Sequence, residues 1–250
     1  MRAVVRFYAE LRDFLGAGHR SGSVVHTFRV PGSVKDVIES YGVPHTEVEL
    51  ILVGGESVDF SYQVQDGDRI SVYPVFESFD VASLVRLRPE PMRRIRFVLD
   101  GHLGRLARYL RLLGFDTAYA PNASDRELIR TSTTEGRILL TRDVGLLKNR
   151  AVTHGHFIRS DDPRQQVLDV VSRFQLAGRL RPYSRCLACN GVLEPVAKEA
   201  IAHRLPPLTR QYIDEFRTCS ECGKDYWRGA HAQSLDRIVA AATVAPAAHR

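Results

Sequence analysis

Two sets of residues in this chain have the types and spacing to hold metal. The first is cysteine: Cys186-Leu187-Ala188-Cys189 and Cys219-Ser220-Glu221-Cys222 are two C-x-x-C steps with 29 residues between them. Each step bends the backbone so that two thiolates face one point. Four thiolates close a tetrahedral shell around Zn2+ that leaves no position for a substrate. Cys186, Cys189, Cys219 and Cys222 are therefore expected to bind a structural zinc, with helical turns in VAKEAIAHR and LTRQYIDEFR filling the gap around Pro206 and Pro207. Two disulfides would suit an exported chain. The opening MRAVVRFYAELRDF, however, carries charges where a signal peptide would be apolar, which points to a cytoplasmic, reducing setting. A redox dithiol pair lacks its usual setting here.

The second set is acidic. Asp100 follows RIRFVL, Asp143 follows RILLT with Arg142 between, Asp161 and Asp162 follow HFIRS, and Asp125 lies in SDREL at a helix start. In an open parallel sheet ligands gather beyond the carboxyl ends of the strands, so acids at those positions can converge. Converging carboxylates repel one another unless a divalent cation lies among them, and hard oxygen donors select Mg2+ or Mn2+ over zinc. Such a site activates water and stabilises a leaving oxygen at a phosphodiester. Taken singly, each Asp is better explained as a helix cap that satisfies free N–H groups. That explanation weakens for the set, because all fall on one edge.

The elements that must position these acids read as strand and helix in alternation. RIRFVLD, DTAYA, RILLT and HGHFIRS are strand-like, and GHLGRLARYLRLLGF, SDRELIRTSTTEG, DVGLLKNRAV and DPRQQVLDVVSRFQL are helical. This order predicts an α/β domain over 95–180, a three-layer α/β/α arrangement around a parallel sheet. Ahead of it, residues 1–80 read as a small α+β roll. A strand in VVRF runs into a short amphipathic segment, HTFRV makes a second strand, and a helix capped by Ser33 stops at Gly42. ELILVGGESV then gives a strand, a Gly-Gly turn and a strand, and DRISVYPVF is the last strand. Residues 81–94, with two prolines and an arginine cluster, read as a linker, and 181–250 as the cysteine region with an alanine-rich tail.

Charge divides the chain the same way. Residues 1–80 hold 7 Lys+Arg against 12 Asp+Glu, a net of −5, and the rest holds 28 against 17, a net of +11. An Arg-rich module suits phosphate and therefore nucleic acid. The bland alternative is a solvated basic surface. No run of 18 uncharged apolar residues is present, so no membrane partner is expected.

At these residues a family likeness enters. LVGGESVDFSYQVQDGDRISVYPVF resembles the sulfur-carrier branch of the ubiquitin-like β-grasp fold. Gly54-Gly55 here is internal rather than the free terminus a carrier needs, so the domain reads as a docking module for a protein partner. FVLDGHLGRLARYLRLLGFDTAYAPNASDRELI, GRILLTRDVGLL, IRSDDPRQQVLDVV, RCLACNGVLEP and CSECGKDYWRGAHAQSL resemble the Mut-7 C-terminal RNase family, a branch of the PIN-domain nucleases with a zinc ribbon. The resemblance implies a ribonuclease in which Asp100, Asp125, Asp143 and Asp161, with Asp162 close behind, hold Mg2+ or Mn2+, while Thr141 orients the carboxylates. It also implies RNA, including tRNA or another small structured RNA, as the partner. A non-catalytic RNA-binding adaptor on a degenerate nuclease fold is the competing reading. The oligomeric state is not legible.

For RNA contacts, Arg105, Arg108 and Arg111 form a stripe along the first helix, although the wet face of an amphipathic helix explains them equally. Arg142, between Thr141 and Asp143, is a stronger candidate for a phosphate. Tyr226, Trp227, Arg228 and His231 lie close enough to stack on bases, with packing of Trp227 against the cysteine knuckle as the simpler account of that residue. His231 also matches the family's GxH ending.

Overall fold

The computed structural model describes residues 1–74, 94–229 and 232–244. The linker expected at 81–94 therefore lies, Arg94 apart, outside the described residues, as does His231.

Alternation of apolar and polar residues builds the first sheet. β1 (Arg2–Phe7) buries Ala3, Val5 and Phe7 and leaves the residues between them exposed. β2 (Ser23–Thr27) lies antiparallel to it with Val24 opposite Val5. The second strand thus sits three residues earlier than HTFRV suggested, because this register turns Val24 into the core. α1 (Val34–Ser40) is capped by Ser33, whose hydroxyl accepts from the Asp36 N–H, and it buries Val34, Val37 and Ile38. β3 (Leu50–Val53) turns through Gly54 and Gly55, both at positive φ, into β4 (Glu56–Ser57). β5 (Arg69–Tyr73) runs parallel to β1 and antiparallel to β3, giving the order β2-β1-β5-β3-β4. α1 packs Val37 and Ile38 into one core with Val5, Phe7, Ile70 and Val72. This is the α+β roll that the patterning implied.

Beyond the first sheet, strands and helices alternate. They are β6 (Arg96–Leu99), α2 (Gly104–Leu112), β7 (Asp116–Tyr119), α3 (Asp125–Glu135), β8 (Ile138–Thr141), α4 (Val144–Leu147), β9 (Gly155–Phe157) and α5 (Pro163–Arg173). β6 pairs with β7 and β8 with β9, both in parallel. β10 (Leu193–Val196), α6 (Lys198–Ile201), α7 (Pro207–Tyr212), β11 (Phe216–Cys219) and β12 (Asp225–Trp227) follow, with the three strands in one antiparallel sheet. The helical turns expected around Pro206 and Pro207 are α6 and α7, but the end of LTRQYIDEFR joins β11. The alanine-rich tail contains α8 (Ala232–Thr243), which buries Ile238 and Ala242.

The described residues fall into two compact units, 1–74 and Arg94 with 124–158, and 95–123 with 159–229 and 232–244. In the first unit the loop 44–47 meets β9. The Glu47 carboxylate, fully buried, accepts from the Phe157 N–H at 2.6 Å and faces the His156 ring at 3.2 Å. His45 places one ring nitrogen 2.6 Å from Glu39 and the other 2.8 Å from the Val152 carbonyl. Phe14 meets Phe157 edge to face at 5.4 Å. β8 bonds one side of β9, and Glu47 satisfies an N–H on the other.

Candidate functional site

The cysteines are brought together. Cys186 and Cys222 have their sulfurs 3.6 Å apart, Cys189 and Cys219 3.4 Å apart, and all four lie within 4.8 Å of one another. A disulfide would need about 2.0 Å, and all four are free thiols. Tetrahedral zinc at a Zn–S distance of about 2.3 Å spaces its sulfurs by roughly 3.8 Å, close to what is seen. The two turns repeat one another. Cys189 N–H donates to the Cys186 sulfur at 3.4 Å and Cys222 N–H to the Cys219 sulfur at 3.5 Å. The residue after each second cysteine, Asn190 or Gly223, is left-handed. Burial raises the Cys186 thiol, but hydrogen bonds from the Tyr226 hydroxyl and from backbone N–H groups more than offset it, holding its pKa at about 6. Among the described residues the four cysteines are the one group of three or more potential ligands drawn this close.

Arg111 does not belong to an exposed stripe. Arg105 and Arg108 are exposed on α2, whereas Arg111 is 4% exposed. Its Nε and one Nη donate to the Thr117 carbonyl at 3.0 and 2.9 Å, and the other Nη donates to the carbonyls of Leu187 and Ala188 at 3.2 and 2.8 Å. The side chain thus ties the end of α2 and the start of β7 to the first cysteine turn. Asn190 adds a second tie, its oxygen accepting from Thr117 N–H at 2.9 Å and its amide donating to Asp116 at 2.8 Å. The sequence marked Arg111 only as part of the helix stripe, and Asn190 did not stand out. An Asn directly after a C-x-x-C step was the available signal for the second.

The acids occupy strand ends and helix starts. Asp100 follows β6 and opens the turn 101–103 without side-chain capping. That turn is held by close approach: a Cβ on Gly101 would lie 2.3 Å from the Pro121 carbonyl, and Tyr119 donates to the Gly101 carbonyl at 2.8 Å. Asp125 is exposed at the first position of α3, where the capping box is made by Ser124 and Glu127 instead. Asp143 caps α4 through Oδ1, which accepts from Gly145 N–H at 2.6 Å and Leu146 N–H at 3.3 Å. Thr141, fully buried, accepts from the Asp143 N–H at 2.9 Å, and Arg142 between them is exposed. Asp162 caps α5 through Oδ1, with Pro163 in the first turn, and Asp161 is exposed beside it. Capping therefore accounts for one oxygen of Asp143 and of Asp162, and for neither Asp125 nor Asp161.

Comparison with known proteins matches these segments to described families. The Mut7-C RNAse domain matches residues 95–239, and the Mut7-C ubiquitin domain matches residues 1–80. A human protein named exonuclease mut-7 homolog is 37% identical over 106 residues, covering 40% of this chain and 12% of the relative. The chain thus corresponds to a small part of that relative's length. No solved structure matches. The chain belongs to the Mut7-C RNase domain family, with the family's ubiquitin-like domain ahead of it.

Proposed function

We propose that the protein is a metal-dependent ribonuclease of PIN-like build with a zinc ribbon. The match of residues 95–239 to the Mut7-C RNAse domain is the observation that carries this reading. Asp100, Asp125, Asp143 and Asp161, with Asp162, would hold Mg2+ or Mn2+, which when bound supplies an activated water and charge stabilisation at the leaving oxygen. The donor chemistry fits: all five are hard carboxylates, Asp125 is exposed and caps no helix, and the Oδ2 atoms of Asp143 and Asp162 lie outside the caps. Thr141 fixes the backbone of Asp143 and so the direction of its carboxylate. Arg105, Arg108, Arg142 and His231 would grip the RNA backbone, orienting a phosphodiester for in-line attack. The four cysteines would hold Zn2+ for structure alone, and the ubiquitin-like domain would dock a protein partner. No helix among the described residues is long and apolar enough to cross a membrane.

The test is cleavage of total small RNA by the purified chain with Mg2+, Mn2+ or EDTA, beside an Asp100→Asn/Asp143→Asn double variant. We expect products only with metal and at least a hundredfold less with the double variant, the order of loss for a metal-positioning group. Intact RNA in every lane, with binding kept by the variant, would replace this reading with the RNA-binding adaptor.

A further inference from the structure

A cavity of about 570 Å³ opens on the three-stranded sheet, in the size range of small-molecule sites, roughly 300–1,000 Å³. Its walls include four aromatic rings, Tyr183, Phe216, Tyr226 and Trp227, and none of the acidic residues assigned above. The rings are fixed in advance. The Tyr226 hydroxyl lies 3.1 Å from the Cys186 sulfur, a contact that anchors the end of its ring. Phe216 is buried and holds Trp227 in a tilted contact at 6.2 Å, while Trp227 remains 37% exposed. The Tyr183 hydroxyl donates to Asp236, and burial together with that carboxylate pushes its pKa up to about 12, so it stays neutral.

Cations share the walls. The Arg228 guanidinium sits 5.6 Å over the Tyr183 ring, and both Asp236 oxygens hold it at 2.9 Å. Arg185 is anchored through the Asn190 carbonyl at 2.9 Å, and Arg217 extends from β11, with one Nη 3.4 Å from the Leu193 carbonyl. Of the two acids in the lining, Asp214 is engaged by Lys198 at 2.8 Å; of the three arginines, Arg228 is paired with Asp236 and Arg185 lies 3.9 Å from Asp116, which leaves Arg217 and Glu215 as the lining charges outside those pairs. Flat π faces stack bases without regard to sequence, and guanidinium groups beside them meet phosphate. An apolar peptide side chain would use the rings but not the arginines.

We propose that this cavity seats a nucleobase and its adjoining phosphate from a single-stranded stretch of the RNA, as a binding subsite on the cysteine-bearing sheet. The proposal rests on the ribonuclease reading and names where its substrate is gripped. Trp227 is the chain's one tryptophan, so its emission reports the cavity directly.

The experiment uses the full chain as the Asp100→Asn/Asp143→Asn variant, with Mg2+ and Mn2+ left out so that metal-dependent cleavage does not consume the RNA. A short single-stranded oligoribonucleotide is titrated by tryptophan emission and, with a labelled copy, by anisotropy. Heparin serves as a polyanion without bases. Quenching by RNA at the anisotropy midpoint, with none by heparin, is expected. Trp227→Ala should weaken RNA binding roughly 5- to 150-fold, the loss of one stacked base, while Trp227→Phe should keep most of the affinity and Arg217→Ala should lower it. Unmoved emission at saturating RNA, quenching by heparin, or full affinity in Trp227→Ala would overturn the subsite, as would emission that responds to an apolar peptide and not to RNA. If the unmutated chain still cleaves RNA in those cases, the ribonuclease reading stands without the subsite. If it neither binds nor cleaves RNA, both fall together.

Discussion

Arg111 shows how far one residue's chemistry can depart from its sequence position. Spaced three residues from Arg108, it reads as part of a wet helix face, yet the structure buries it and spends its guanidinium on three carbonyls. Burial alone would favour losing the charge, and its pKa is lowered for that reason, although the neighbouring Cys186 and Cys189 pull the other way. Replacing it with Met keeps the bulk and strands the Thr117, Leu187 and Ala188 carbonyls. Each buried unsatisfied group costs about 1–3 kcal/mol, so urea unfolding of Arg111→Met should show a loss of several kcal/mol. Arg105→Ala should change stability by less than about 0.5 kcal/mol. Equal stability of both variants would mean that the tie to the cysteine turn contributes nothing. Cysteine pairing and strand-end acids were legible because type and spacing alone define them. Arg111 was not, because its partners are backbone carbonyls, two of them 76 and 77 residues away.

At the scale of elements, the antiparallel sheet β10-β11-β12 has little apolar substance of its own. One small core joins Cys186, Leu193 and Cys219 with Tyr226, and another joins Ile201, Leu205 and Phe216 with Val196 and Ile213. Cores this small need a metal or other staple to persist. Removing metal with a strong chelator should therefore open residues 181–229 to protease and shift Trp227 emission to the red. The ubiquitin-like roll should meanwhile stay intact in the same digest. Protease resistance unchanged by metal removal would show that the sheet holds itself. The helical period of α2 and α5 and the strand alternation of β1 were readable, since each buries one regular face. β2 was misplaced because its limits depend on the register against β1. α8 was passed over because alanine-rich sequence gives a weak periodic signal, and the burial of Ile238 and Ala242 decides it.

For the molecule as a whole, charge and packing divide the chain differently. Net charge changes sign near residue 80, whereas packing joins β8 and β9 to the N-terminal sheet. No periodicity could announce that, because the joint is made by His45 and Glu47 in a loop whose partners lie about 110 residues on. Glu47 also supplies a general means of protecting a sheet edge: an inward carboxylate that occupies a strand N–H.

The amide proton of Phe157 can therefore serve as a clock for the contact of the ubiquitin-like roll with β9, within one compact unit. Hydrogen exchange there proceeds only when the buried Glu47 carboxylate lets go, so its rate measures how often the ubiquitin-like roll releases β9. In Glu47→Ala that proton should exchange many times faster while the amides of β1 and β5 keep their native protection. A partner that docks on the roll and pries it from β9 would register as faster exchange at this one proton, and a partner that clamps the two would slow it.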